Sequence, residues 1–207
     1  MENKRLQFLA AATDIFMRYG IKSVTMDEMA RQLGMSKKTI YTFVKDKNEL
    51  VEACLQLGHL NEMKEICEVC NDNANAIDEL IKVSMLISAR LKTIHPSIFF
   101  DLQKYHAKIY HQFNNRTTDF LKNTMIENLK KGKKQGVYRE NLDEEIIARM
   151  YLAFTDTLFA GEIFPPTDFP YNTIHSEFFR YHIRGIASQK GLAYLKEVIN
   201  TKHQDIL

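Results

Sequence analysis

The sequence predicts an all-α fold in two parts: a three-helix head over residues 1–46, built around a helix-turn-helix, and a helical body over residues 47–207. Three observations carry this. Apolar residues recur at helical spacing through most of the chain. Glycine and proline are sparse, 8 and 4 among 207 residues, and no two alternating runs are joined by a hairpin turn. Residues 25–50, TMDEMARQLGMSKKTIYTFVKDKNEL, read as two short helices pivoting on a glycine. A composition with 45% hydrophobic residues suffices for a sizeable core.

The first helix spans residues 3–19, with Leu6, Leu9, Phe16 and Tyr19 on one stripe and Gly20 as its stop. Thr25 and Glu28 have the spacing of a capping box and start the second helix. Met29, Ala30 and Leu33 give that helix an apolar face. Ala30 stands where two crossing helices touch, and a larger side chain there would push them apart. Gly34 supplies the left-handed turn, with Met35 beneath it. Ser36 is the N-cap of the third helix, which Ile40 and Phe43 anchor inward. Lys37, Lys38, Thr39 and Tyr41 are left on its open side, where they suit phosphate oxygens and base edges. This arrangement is a helix-turn-helix shaped to enter a DNA major groove. A helical hairpin with a solvated basic face would carry the same hydrophobic pattern.

Taken together, Phe16 and Gly20, then Thr25, Met29, Ala30, Leu33 and Gly34, then Ser36, Thr39, Tyr41, Phe43, Lys47 and Leu50 resemble the DNA-binding domain of the tetracycline-repressor (TetR) family. Thr42 departs from the pattern at a place where histidine is frequent. The motif covers about a quarter of the chain; beyond residue 50 the likeness lies in layout. The resemblance implies that Thr25 bonds a phosphate with help from the helix N-terminus. Ser36, as the cap that opens the recognition helix, belongs to the same contact set. The resemblance gives Lys37, Lys38 and Thr39 to base edges, with lysine pairing to guanine and Thr39 packing on a thymine methyl. It makes Tyr41 and Lys47 phosphate contacts, which set register while base contacts set sequence. For Tyr41 the other reading is a half-buried core ring.

In the body, helices are predicted from Lys47 to about Val69, from Ala76 to Thr93 with Leu80, Val83, Leu86, Ile87 and Leu91 inward, and around Ser97–Tyr105. A long helix runs from about Ala107 to Gln135 and stops at Gly136. One more begins after Asp143 and reaches about Ala160, another spans Tyr171–Ala187, and a tail helix follows Gly191. Asn71–Asn75 is a polar break, and the proline-rich Phe164–Pro170 is a loop.

Net charge is +2 over the whole chain, with nine basic and six acidic residues among the first 50. The basic excess thus sits on the helix-turn-helix end. No apolar run reaches the roughly 18 residues of a membrane span, so a cytoplasmic protein with no membrane partner is expected. Three cysteines make a disulfide framework unlikely by count. Cys67-x-x-Cys70 lacks the second ligand pair of a zinc site, so no metal is expected, and these cysteines, like Cys54, read as helix-packing residues. The lysines of Lys130–Lys134 complement a helix C-terminus and read as solvated. No phosphate loop, nucleophile elbow or HExxH is present; no catalytic residue, cofactor or enzymatic activity is expected.

The resemblance implies a body that pairs two chains and holds a small effector. Candidate dimer residues are Ile147, Tyr151, Phe154 and Leu158 on one late helix, and Phe178, Phe179, Ile183 and Ile186 on the next. Each fits intrachain core equally well. Met85, Phe99, Phe100, Leu102, Tyr105, His106, Tyr110, Phe113, Phe120 and Met125 are candidates for an effector pocket, against the reading that they fill core. His106 reads as a hydrogen-bonded structural histidine. The expected partners are a double-stranded operator, a second copy of the chain and an unidentified small apolar or aromatic effector. The expected function is a homodimeric repressor released from a palindromic operator. An activator or corepressor-dependent regulator, and a small-molecule carrier or sensor whose head binds protein, are the alternatives.

Overall fold

The computed structural model describes residues 2–70 and 75–201, through which ten α-helices run. In order they are α1 (Glu2–Tyr19), α2 (Met26–Leu33), α3 (Lys37–Ile40), α4 (Lys47–Cys70), α5 (Ala76–Leu91), α6 (Ile98–Tyr105), α7 (Ala107–Lys134), α8 (Glu144–Ala160), α9 (Tyr171–Ile186) and α10 (Gln189–Thr201). The all-α class holds. Among the described residues, no helix is long and apolar enough to cross a membrane. Of the polar break at Asn71–Asn75, residues 71–74 lie outside the described residues; Asn75 accepts from the Ile77 N–H and caps α5.

The chain forms two compact units, one of residues 1–64 and 93–117, the other of residues 65–92 and 118–207. The first unit is built on Phe8, Leu9, Ala12, Phe16, Met29, Ile40, Val44, Leu50, Val51, Ile98 and Leu102. Its third and fourth helices share this core because Ile40 and Leu50 are both fully buried. The α1 stripe differs from the expected one: Leu6 and Tyr19 are 47% and 40% exposed. Phe8, Ala12 and Ile15 take the inward face with Leu9 and Phe16, a rotation of the stripe that also lets Phe8 stack on Phe43 at 5.1 Å.

In the second unit α5 and α8 both pack against α9, and Ile77, Ile81, Leu129, Tyr138, Phe179 and Ile183 form the innermost layer. On α5 the buried face is Ala76, Ile77, Leu80, Ile81 and Ser84, while Val83, Leu86 and Ile87 are half-buried. The helix ends at Leu91, two residues before the expected Thr93. The tail helix begins at Gln189, so Gly191 lies inside it. There a Cβ would come within 2.0 Å of the Val137 carbonyl oxygen.

The lysines of Lys130–Lys134 are not merely solvated. Lys130 pairs with Glu127 and Lys133 with Glu144, each at 2.8 Å. Lys131 holds Glu79, a carboxylate whose side chain is 4% exposed. Asn128 Nδ2 donates to the Ala76 carbonyl (2.9 Å), and the Tyr138 hydroxyl shares its one proton between that carbonyl (3.1 Å) and Asn128 Oδ1 (2.9 Å). Burying Glu79 is tolerable because it is paired and hydrogen-bonded. The cysteines divide: Cys54 is buried as expected, whereas Cys67 is exposed and packs no core.

The sequence-read dimer residues fall largely inside the chain's own core. Tyr151, Leu158, Phe179, Ile183 and Ile186 are at most 8% exposed. Ile147, Phe154 and Phe178 are half-buried, and Phe154 stacks on Phe178 at 3.6 Å within the chain. The cause is that α9 is covered from two sides, by α5 and by α8. The large apolar side chains that stay outward on these helices are Ile146 and Met150 on α8 and Tyr181 on α9.

Candidate nucleic-acid interface

The head's geometry follows from three caps. At the start of α2 the Glu28 N–H donates to Thr25 Oγ1 (3.1 Å). Only half of the expected capping box forms, because the Glu28 carboxylate instead accepts from Arg31 and Gln32. This side-chain pairing holds Glu28 below the usual carboxylate range. At the other end Gly34 is left-handed, with φ +61°. The Met35 N–H reaches back to the Ala30 carbonyl (3.0 Å) and the Gly34 N–H to that of Arg31 (3.3 Å). This is the Schellman pattern, which ends the helix and reverses the chain. Two residues on, Ser36 Oγ accepts from the Thr39 N–H (3.0 Å) and opens α3.

α3 is a single helical turn. Beyond it the chain continues in turns, with the Val44 N–H donating to the Ile40 carbonyl. Ile40 points wholly inward, so its neighbours Lys37, Lys38, Thr39 and Tyr41 point outward, and all four are exposed, as are Thr25 and Ser36. Tyr41 is 44% exposed, so it is not a core ring. The Thr25 oxygen accepts the cap hydrogen bond and keeps its own O–H free to donate. Ser36 and Thr39 share one hydroxyl contact at 2.7 Å, which leaves one O–H of the pair to give outward.

The cations differ. Lys37 Nζ lies 2.9 Å from the Asp27 carboxylate, whose hydrogen bond raises the lysine's pKa. The pair is open to solvent and exchangeable for a phosphate or base. Lys38 has no ion-pair partner among the described residues. Lys47, read from sequence as a phosphate contact at the start of α4, turns instead toward the head, with Nζ 3.5 Å from the Lys22 carbonyl oxygen. Burial lowers its pKa, an effect opposed by nearby Asp101. The cap of α4 belongs to Asp46, which accepts from the Glu49 N–H (2.9 Å).

Two residues outside the sequence pattern join this region. Arg5 Nε approaches the Phe43 carbonyl (3.5 Å), which sets a cation of α1 beside the end of α3. Asp101 accepts from the backbone N–H groups of Ile21 and Lys22. Separations of 38 and 80 residues leave no local signal for either contact.

The effector candidates are spread over both units. In the first, Leu102 is core, Phe100 and Tyr105 are exposed, and Phe99, His106, Tyr110 and Phe113 are half-buried. His106 Nδ1 has no hydrogen-bond partner, contrary to the expected structural histidine. In the second, Met125 is core while Met85 and Phe120 are half-buried. A cavity of about 20 Å³ beside Phe16, Met17, Ile21, Val51, Cys54 and Leu55 has room for one water. It is far short of the roughly 300–1,000 Å³ of a ligand site.

Comparison with known proteins places this geometry. Residues 8–54 match the family described as bacterial regulatory proteins, tetR family. The chain is 29% identical over 86 residues to the uncharacterized HTH-type transcriptional regulator YvaF of Bacillus subtilis, covering 41% of this chain and 45% of the relative. It is 42% identical over 65 residues to YhgD of the same organism, also described as an uncharacterized HTH-type transcriptional regulator, covering 31% and 33%. The chain thus spans less than half the length of these curated relatives. Over 87% of its own length and 98% of the other, it shares the fold of a transcriptional regulator FadR from Bacillus subtilis solved with stearoyl-CoA, at a TM-score of 0.65 and 18% identity. The head of the chain, residues 8–54, thus matches the tetR family of bacterial regulatory proteins, and the chain as a whole shares the fold of a solved regulator.

Proposed function

We propose that the chain is a sequence-specific DNA-binding transcriptional regulator, acting in the cytoplasm as a homodimeric repressor that a small, largely apolar effector releases from a palindromic operator. One observation carries the reading: the capped α2–turn–α3 unit buries Ile40 completely and presents Lys37, Lys38, Thr39 and Tyr41 together on its open edge. Lys38 and Thr39 address base edges, while Thr25, Ser36 and Tyr41 hold phosphates. Lys37 exchanges Asp27 for DNA. Lys47 keeps a supporting place at the base of the head.

One short recognition turn spans few base pairs, so a second head is needed, about one helical turn of DNA away, roughly 34 Å. The outward Ile146, Met150 and Tyr181 are the side chains that would meet a second copy, in place of the buried residues read from sequence. For the effector, Phe99, Tyr110 and Phe113 offer half-buried rings. His59 lies edge-on to Phe113, and Thr117 stands 3.3 Å from His59, so polar handles lie alongside. That the FadR neighbour was solved with stearoyl-CoA supports an apolar ligand. Release follows if effector and operator disfavour each other by one shared factor, typically about 1–3 kcal/mol. α4 and α7 are the elements that could carry this coupling, since each supplies residues to both units.

The test is to incubate purified protein with sheared genomic DNA at two salt concentrations and sequence what is retained. A few inverted repeats surviving the higher salt support a specific dimeric regulator. Uniform retention that vanishes with salt means phosphate attraction alone and sinks the proposal.

A further inference from the structure

We infer that Asp101, on α6, is a positioning residue for DNA binding: its carboxylate clips the corner between α1 and α2 and thereby sets where the helix-turn-helix begins. The inference rests on the DNA-regulator reading and adds to it a residue outside the reading head.

The observations converge on one place within the first unit. Asp101 is a charged group that is only 4% exposed. Its Oδ2 instead accepts from three donors: the Ile21 N–H at 3.0 Å, the Lys22 N–H at 2.9 Å and the Ser97 hydroxyl at 3.1 Å. Charge-assisted bonds of this kind are about twice as strong as neutral ones. The two amides are those the chain exposes as it leaves α1, and buried amides need a partner.

The approach is close enough to restrict the sequence at the corner. Gly20 has φ +82°, and a Cβ there would stand 2.7 Å from Ser97 Oγ and 3.4 Å from Asp101 Oδ2. A second strap runs alongside, where the His95 N–H donates to the Met17 carbonyl at 2.7 Å. The face that α6 presents is also used from the surface, with Lys22 Nζ 4.9 Å from the centre of the Tyr105 ring. Three residues beyond the clipped amides stands Thr25, whose backbone and hydroxyl start α2.

Two amides held by one carboxylate fix both position and direction of the peptide plane between them. α2 therefore starts at a defined angle to α6. Moving α6 moves that start without unfolding the head, which gives the helix a direct grip on the DNA-reading elements. Nothing local in the sequence announces this, since Asp101 is a lone acid on a short amphipathic helix, 80 residues from its amides.

The full-length chain tests the inference with Asp101→Asn, which keeps an acceptor without the charge, and Asp101→Ala, which removes both. Amide hydrogen exchange and retention of genomic inverted repeats are read on each. In Asp101→Ala, exchange at residues 20–25 should quicken at least tenfold while Leu50 and Val51 exchange as in the parent. Specific retention should fall roughly tenfold, with the non-specific level unchanged. Asp101→Asn should lie between parent and Asp101→Ala on both readouts, and it serves alone if Asp101→Ala does not fold. Faster exchange spread evenly through the first unit would mean a general stabilising role and would overturn the inference. Unchanged retention in both variants would do the same. If the parent itself retains no specific site, the regulator reading fails together with the inference, and the parent alone reveals it.

Discussion

Acidification should weaken the second unit in a window set by two histidines of α9. Among the described residues, His175 is 2% exposed with no hydrogen-bond partner for either ring nitrogen, and His182 is 9% exposed with Nε2 unpartnered. His182 lies edge-on to Tyr151 at 4.9 Å and stacks against Phe178 at 5.8 Å. Burial therefore holds both pKa values down, from 6.5 to about 4. A base whose folded pKa is depressed is neutral in the fold and takes up a proton more readily when unfolded. Its contribution is complete above the unfolded value of 6.5 and is lost as pH falls toward 4. A full shift of this size corresponds to about 3 kcal/mol per histidine, of which about 2 kcal/mol is lost by pH 5.

The pair together thus removes on the order of 4 kcal/mol between pH 8 and pH 5, a large part of the roughly 5–15 kcal/mol of a typical domain. His59 and His106, also lowered by burial, act in the same direction but are more exposed. Depressed carboxylates such as Glu28 and Glu144 act lower, below 4.5. The measurement is urea unfolding at pH 8, 6.5 and 5, on the parent and on His175→Leu/His182→Leu. The parent midpoint should drop steeply below pH 6.5, and the double variant should lose most of that slope. A parent whose stability is flat from pH 8 to pH 5, or a variant with the parent's full slope, would refute the reasoning.

Lys38→Ala should cost roughly 1–3 kcal/mol of operator affinity and relax base preference, while Tyr41→Ala should weaken all sites alike and leave the salt slope unchanged because a phenol carries no charge, both read by titration of a selected inverted repeat. Gly132→Ala should destabilise by about 2–4 kcal/mol in chemical denaturation despite alanine's better helix propensity. A Cβ there would lie 2.0 Å from the Tyr138 ring, whose hydroxyl bonds to Ala76 and Asn128 would break. Met150→Arg should shift the chain from dimer to monomer in sedimentation while leaving the helical circular-dichroism signal in place; a dimer of parental strength would remove this face from the interface.

How much of this was legible depends on distance along the chain. The head was readable because its information is local: Thr25, Gly34 and Ser36 are caps and turns whose partners lie within three to five residues. Helix periodicity likewise placed most of the longer helices to within about two residues, whereas the tail helix begins at Gln189, before the glycine read as its boundary. The α1 stripe differs because a rotation of well under a quarter-turn, which keeps Leu9 and Phe16 inward, preserves the same spacing, and Phe43, 35 residues on, stacks on the inward Phe8. The capping box lost its return bond because Arg31 and Gln32 compete for the same carboxylate. On α8 and α9 apolar spacing says that a face is covered and not by what, so a second copy and the chain's own core read alike; α5 and α8 both pack on α9.

The sequence by itself therefore determined the all-α class, the helix-turn-helix and the family that the head resembles, since propensity, capping and hydrophobic period act over a few residues and need no tertiary context. Tertiary structure alone decided that Asp101 holds the α1–α2 corner, that Lys131 and Asn128 satisfy a buried Glu79, and that His175 is buried. Each of these depends on which helices become neighbours, and burial converts that neighbourhood into energy only after the chain has folded.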